Sequence, residues 1–208
     1  LQVPQFVSIT DFVRPTQVEV MSDVYHNAMS RIHKDRPDLY LGVGVMTSAK
    51  MVLEMDTKWS RAFPAVKDIK TIFSAVKSKT YRVLHYADYK EIEFARCLEL
   101  ATYYGGAHLQ AIQLDMTWPD RDVLRRHRMN HPSVAMILQA GKVTLEQVED
   151  DPKKLVQRLA PYLEEDLIDS VLLDRSMGRG VKMDPDILRG YVEEIRGRYP
   201  SLHLVVAG

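Results

Sequence analysis

The stretch that decides the fold is Ser170-Val171-Leu172-Leu173-Asp174, followed by a glycine-spaced basic loop, by Asp184-Pro185 and a helical pattern, and then by Leu202-His203-Leu204-Val205-Val206-Ala207-Gly208. An apolar run of four or five residues, bounded by turn signals, reads as a strand buried on both faces. Asp184 offers a side-chain oxygen to the free amides of a helix start, and Pro185 takes the first helical position, where no N–H is needed. Strand, loop, helix and strand in that order make one β-α-β unit. Its two strands are expected to be parallel and joined by a right-handed crossover.

The same unit recurs toward the N-terminus. Phe6–Ile9, Leu39–Val45, Tyr81–Tyr86, Leu109–Leu114 and Ser133–Gln139 join Ser170–Leu173 and Leu202–Val206 to give seven predicted strands. Between them lie amphipathic stretches. Val18, Met21, Val24, Tyr25, Ala28, Met29 and Ile32 recur every three or four residues, which predicts a helix with one buried face. Ile92, Ala95, Leu98 and Leu100 form a second such stripe, and Leu145, Val148, Leu155, Val156 and Leu159 a third. Thr16–Glu19, Asp88–Glu91 and Thr144–Gln147 match the capping box, in which two side chains satisfy free helix-start amides. This alternation predicts an α/β protein, a closed barrel or an open doubly wound sheet. Seven visible β-α units favour a TIM-type (β/α) barrel whose last unit is missing or cut off after Gly208, since the chain also starts without methionine.

The 208 residues, 46% of them hydrophobic, are expected to form a single barrel domain over 1–208. The 28 basic residues cancel the 28 acidic ones, so no overall field favours nucleic acid or an anionic membrane. No run is long enough to cross a bilayer, and Leu1–Gln5 lacks the features of a signal peptide. The single cysteine, Cys97, cannot form an internal disulfide, which fits a reducing compartment and a cytoplasmic location. Cys97 itself lies among apolar residues of a predicted helix and reads as a core residue. The expected partner is a small phosphorylated molecule. No metal or cofactor is called for, and the sequence leaves the oligomeric state open.

In barrels of this kind chemistry sits at the C-terminal ends of the strands. Ser8 lies in the first strand, Asp88 follows the third, Asp115 the fourth and Asp174 the sixth. Asp88 is explained as a helix cap. Asp115 and Asp174 follow buried strands, where a carboxylate needs a partner or a task. The loop Ser176-Met177-Gly178-Arg179-Gly180-Val181-Lys182 combines glycines, which let backbone amides approach an anion, with basic side chains. Gly178, Arg179 and Gly180 therefore read as a phosphate cradle, to which Gly208 could contribute from the loop after the seventh strand.

Other features have plainer readings. His85 reads as a core histidine with satisfied bonds, with metal ligation alongside Asp115 and Asp174 as the lesser alternative. Arg121, Arg125, Arg126 and Arg128 read as a solvated helix face. Trp59 and Trp118 suit packing as well as substrate stacking. The segment from Met46 to Arg61 reads equally as a short extra helix or as a substrate lid.

Val171-Leu172-Leu173-Asp174, the run from Gly178 to Asp184, and Leu202–Gly208 together resemble phosphoribosylanthranilate isomerase. Ala111-Ile112-Gln113-Leu114 and Tyr81-Arg82-Val83 look like that family's fourth and third strands. The resemblance implies a small (β/α)₈ barrel that rearranges a phosphoribosyl amine with an aspartate as general acid and a cysteine as general base. Asp174 falls on the acid, and Gly178 and Gly180 fall on the phosphate loop. Ser8 stands where the family has its cysteine, and Asp115 where it has a histidine. A serine hydroxyl does not ionise near neutral pH, so it cannot replace a thiolate as proton acceptor.

Two functional readings follow. In one, Asp115 and Asp174, pushed apart in pKa, act as base and acid in an isomerase-type proton transfer on a phosphorylated sugar. In the other, the barrel binds a ligand or a protein without catalysis. An aldolase of the Schiff-base type is disfavoured, because no predicted strand ends in lysine.

Overall fold

The computed structural model of the chain describes residues 3–32, 38–58, 62–75, 79–174 and 184–207. Seven strands alternate with helices as the sequence predicts: β1 (Phe6–Ile9), β2 (Tyr40–Ser48), β3 (Thr80–Ala87), β4 (Ala111–Asp115), β5 (Ala135–Gly141), β6 (Ser170–Asp174) and β7 (His203–Val206). The helices are α1 (Pro15–Ile32), α2 (Ala49–Val52), α3 (Ile69–Ser74), α4 (Phe94–Gly105), α5 (Arg121–Asn130), α6 (Lys142–Gln147), α7 (Pro152–Glu164) and α8 (Pro185–Arg198). Among the described residues no helix is long and apolar enough to cross a membrane.

The chain divides into two compact units, Gln2–Gln113 and Leu114–Gly208, with the boundary inside β4. In the first, β1 pairs with β2 and β2 with β3, all parallel, in the register Ser8↔Gly42↔Tyr81. Leu41, Val43, Val45, Leu84 and Tyr86 are fully buried. Tyr86 meets Phe94 of α4 at 6.3 Å between ring centres, so this face of the sheet carries the helix layer. In the second unit β5 pairs with β6 and β6 with β7, again parallel, and Asp174 stands opposite Gly141. Every residue of β5 and β6 is buried, as expected of parallel strands covered on both faces.

β1 and β7 depart from that pattern, with Val7 54% and Val206 48% exposed. The stripe read on α1 is also only partly buried. Val18 is fully enclosed, but Val24 is 55% exposed, and the polar Ser22 takes the interior position instead.

Helix starts follow proline and aspartate more closely than the capping-box pattern. Asp184 accepts from the amides of Asp186 and Ile187 at 2.8 and 3.4 Å with Pro185 next, as expected. Asp120 and Asp151 cap α5 and α7 in the same way. Three box assignments are corrected. Helix α1 begins at Pro15, and it is Gln17 whose side chain accepts from the amides of Val13 and Arg14, both at 2.9 Å. Asp88 gathers the amides of Lys90 and Ile92 at 3.2 and 3.3 Å into a turn, and α4 starts only at Phe94. Thr144 lies inside α6, which opens at Gly141 without a side-chain cap.

After β2 the chain forms the short helix α2, with Ser48 accepting from Met51 N at 3.4 Å and Met51 buried. This is the extra-helix reading of that segment. The third amphipathic stripe is two helices rather than one, α6 and α7, and all five of its apolar residues are buried. The break is a turn in which Glu149 and Asp150 take positive φ.

Candidate functional site

Asp174 is the last residue of β6 and only 8% exposed. A carboxylate buried this far needs hydrogen bonds from the protein, because leaving water without them is costly. One comes from Gln139 on the neighbouring strand, whose Nε2 donates to Asp174 Oδ2 at 3.1 Å. The register explains the reach: Gly141 lies opposite Asp174, so Gln139, two residues back, projects from the same face of the sheet. Gly141 adds no side chain between them. Gln139 is neutral, so it orients the carboxylate without cancelling its charge.

Asp115 closes β4 and is half-buried, in the same unit as Asp174. Both sequence-predicted carboxylates thus stand at C-terminal strand ends. Ser8 belongs to the other unit; its side chain is exposed and its hydroxyl donates a long 3.5 Å bond to the Gly42 carbonyl. The proposed cradle residues Gly178, Arg179, Gly180 and Gly208, and Trp59, lie outside the described residues.

Within the first unit, alternation along the strands puts Ser8, Gly42, Gly44, Tyr81, Val83 and His85 on the face opposite the helix layer. Phe6 packs against Tyr81 there at 5.3 Å between ring centres. The two glycines of β2 have a steric reason. A Cβ on Gly42 would lie 2.8 Å from Ser8 Cβ, and one on Gly44 would lie 2.9 Å from His85 Nε2 and 3.0 Å from Thr10 Cγ2. The His85 ring therefore leans across the middle strand toward β1, over backbone that must lack a side chain.

His85 corrects the reading of a satisfied core histidine. It is 8% exposed as expected, but its Nε2 is buried without a hydrogen-bond partner among the described residues. Burial pushes the imidazole down to about 4, so the ring is neutral at physiological pH. An unpaired buried polar group costs roughly 1–3 kcal/mol. Such an atom in a folded protein asks for an explanation. Sequence could suggest it only through the polar residue inside the apolar run Tyr81–Tyr86, because the missing partner is a property of the packing.

The remaining candidates resolve into structure. Cys97 is fully buried, its thiol donating to the Ile92 carbonyl at 3.1 Å, and burial raises its pKa. Trp118 donates from Nε1 to Gln147 at 2.8 Å, packs near Tyr162, and lies 4.8 Å under the Arg158 guanidinium. Three arginines of the α5 cluster are matched by carboxylates: Arg121 and Arg125 both bind Glu165, Arg125 also binds Asp122, and Arg128 makes a two-pronged pair with Asp169 at 2.6 and 3.2 Å, while Arg126 donates to the Asp122 carbonyl. This leaves little net positive charge for an anion.

No protein-family model and no curated protein sequence matches the chain. Among solved structures it is similar to phosphoribosyl anthranilate isomerase from Thermus thermophilus, at 15% identity and a TM-score of 0.56 over 98% of this chain and 76% of that one. The fold is a TIM-type (β/α) fold. TrpF from Jonesia denitrificans matches at 15% identity and a TM-score of 0.51, over 98% of this chain and 75% of that one. A mandelate racemase/muconate lactonizing enzyme from Roseiflexus sp. matches at 15% identity and a TM-score of 0.51, over 99% of this chain but 48% of that one. The divergent, phosphoribosylanthranilate isomerase-like fold read from the sequence is therefore found. Enzymes with different names share this fold, so function has to be argued from the site.

Proposed function

We propose that residues 1–208 act as one (β/α)-barrel domain in the cytoplasm that binds a phosphorylated sugar and performs an isomerase-type proton transfer on it. The observation that carries this reading is Asp174, a buried carboxylate at the end of β6, held by Gln139. In this scheme Asp174 gives a proton to one atom of the sugar, and Asp115, half-buried at the end of β4, takes the proton that leaves the neighbouring carbon, so the isomerisation is proton-neutral. The loop containing Gly178, Arg179 and Gly180, together with Gly208, holds the phosphate through backbone amides and the arginine charge. Neither a metal nor a cofactor enters the scheme.

Calorimetric titration with ribose 5-phosphate and with D-ribose tests it. The phosphorylated sugar is expected to bind more tightly, and Gly180→Val should remove that preference while leaving the ribose affinity unchanged. Equal binding of the two sugars by the unaltered protein would reject the phosphate site. The same reading expects poor turnover of phosphoribosylanthranilate itself, because a serine at position 8 forgoes a general base worth about 10²–10⁴-fold.

A further inference from the structure

We propose that the face of β1–β3 bearing Ser8, Thr10 and His85 is a binding site for the hydroxyl groups of a polyol or sugar, with His85 Nε2 as its buried hydrogen-bonding atom. The inference uses the reading above only for the chemical class of ligand.

Four observations meet at this face. His85 Nε2 is sealed from solvent yet has no partner among the described residues. The ring reaches that position only because residue 44 is glycine, since a Cβ there would stand 2.9 Å from Nε2. The atom next to the same point is Thr10 Cγ2, at 3.0 Å from it, and Thr10 is exposed. The exposed Thr10 side chain and the His85 ring thus converge on the same point over Gly44. Ser8, also exposed, adds a second hydroxyl on the same face one register step away.

The chemistry of the face selects the ligand. Ser8, Thr10, Gly42, Gly44, Tyr81 and His85 include no lysine or arginine. Arg82, next along β3, turns to the other side, where it donates to the Phe73 carbonyl at 3.1 Å and to Gln110 at 2.9 Å. A neutral imidazole offers one donor and one acceptor, as a hydroxyl does, and carries no charge to attract an anion. Phe6, half-buried against the buried Tyr81, adds an apolar ring edge on this face, which suits the C–H surface of a sugar. Among the described residues of this face a phosphate would find no counter-charge.

The test follows the His85 ring nitrogens by ¹⁵N NMR in the full chain while D-ribose, ribose 5-phosphate or inorganic phosphate is added. Both sugars are expected to shift the His85 Nε2 resonance saturably, and inorganic phosphate is expected to leave it in place. His85→Phe should weaken D-ribose about tenfold, the effect of one hydrogen bond to a buried group. Gly44→Ala should displace the ring and weaken it similarly. The wild-type spectra decide even if a variant folds poorly. If calorimetry shows ribose 5-phosphate bound while the His85 resonances stay fixed, the hydroxyl site is wrong and the phosphorylated-sugar reading survives. If neither sugar moves His85, the site is likewise rejected. If ribose moves His85 and binds as tightly as ribose 5-phosphate, the hydroxyl site stands and the phosphate reading falls.

Discussion

Asp174 and His85 are each only 8% exposed, and each is a polar side chain that a purely structural core would do without. Removing the charge of Asp174 separates a structural from a functional role. Asp174→Asn keeps an oxygen to accept from Gln139 at nearly the same size and shape. The melting temperature is therefore expected to stay level, as it does where a side chain is kept for activity and not for stability. A loss of about 3 kcal/mol or more in urea unfolding would instead mark Asp174 as part of a structural network. For His85 the expectation concerns pH. The ring titrates near 6.5 when unfolded and is held down to about 4 in the folded chain. Between those values the unfolded state binds the extra proton, so stability falls as pH drops from about 6.5 to 4 and levels off below. The difference amounts to about 3 kcal/mol. His85→Phe should flatten this acid limb in a series of urea titrations across pH. An unchanged limb would show that other groups set it.

At the scale of elements, strands were more legible than helix starts. β5 and β6 are buried at every residue, so their apolar runs stand out in sequence. The ends were blurred where polar residues continue a strand, as Thr47 and Ser48 do beyond Val45 in β2. A capping-box match fixes residue types but not backbone geometry, which is why Asp88 could organise a turn and Thr144 could sit within a helix. Asp-Pro pairs are more informative because proline restricts φ and removes a donor at once. Asp184→Ala and Asp151→Ala are accordingly expected to cost about 1 kcal/mol each by thermal or urea unfolding. A larger effect is expected at Asp169, where the carboxylate, 3% exposed, binds Arg128 and also accepts from Met136 N at 2.8 Å. It thereby ties α5 and the start of β5 to the residue before β6. Asp169→Ala should cost about 3 kcal/mol, as expected when one partner of a buried pair is removed. A change below 1 kcal/mol would show that the pair is effectively solvated.

For the whole molecule, the repeated β-α unit carried the fold class from sequence to structure, and the likeness to the Thermus thermophilus isomerase over 98% of the chain agrees with it. The site was only partly legible. Asp115 and Asp174 announce themselves by closing apolar strands, whereas the orphaned His85 nitrogen emerges only when Gly44, Thr10 and the ring are placed together. Exposure of β1 and β7 was equally hidden, because burial depends on neighbours and not on a strand's own composition. In the proposed function a phosphorylated sugar binds with Asp174 at its reacting carbons and its phosphate on the glycine loop that follows. A crystal structure of the protein with ribose 5-phosphate bound tests this most directly. Phosphate density is expected against the backbone amides of Gly178 and Gly180, with a sugar hydroxyl within hydrogen-bonding reach of the Asp174 carboxylate. Phosphate bound elsewhere, or a sugar that leaves Asp174 untouched, would contradict it.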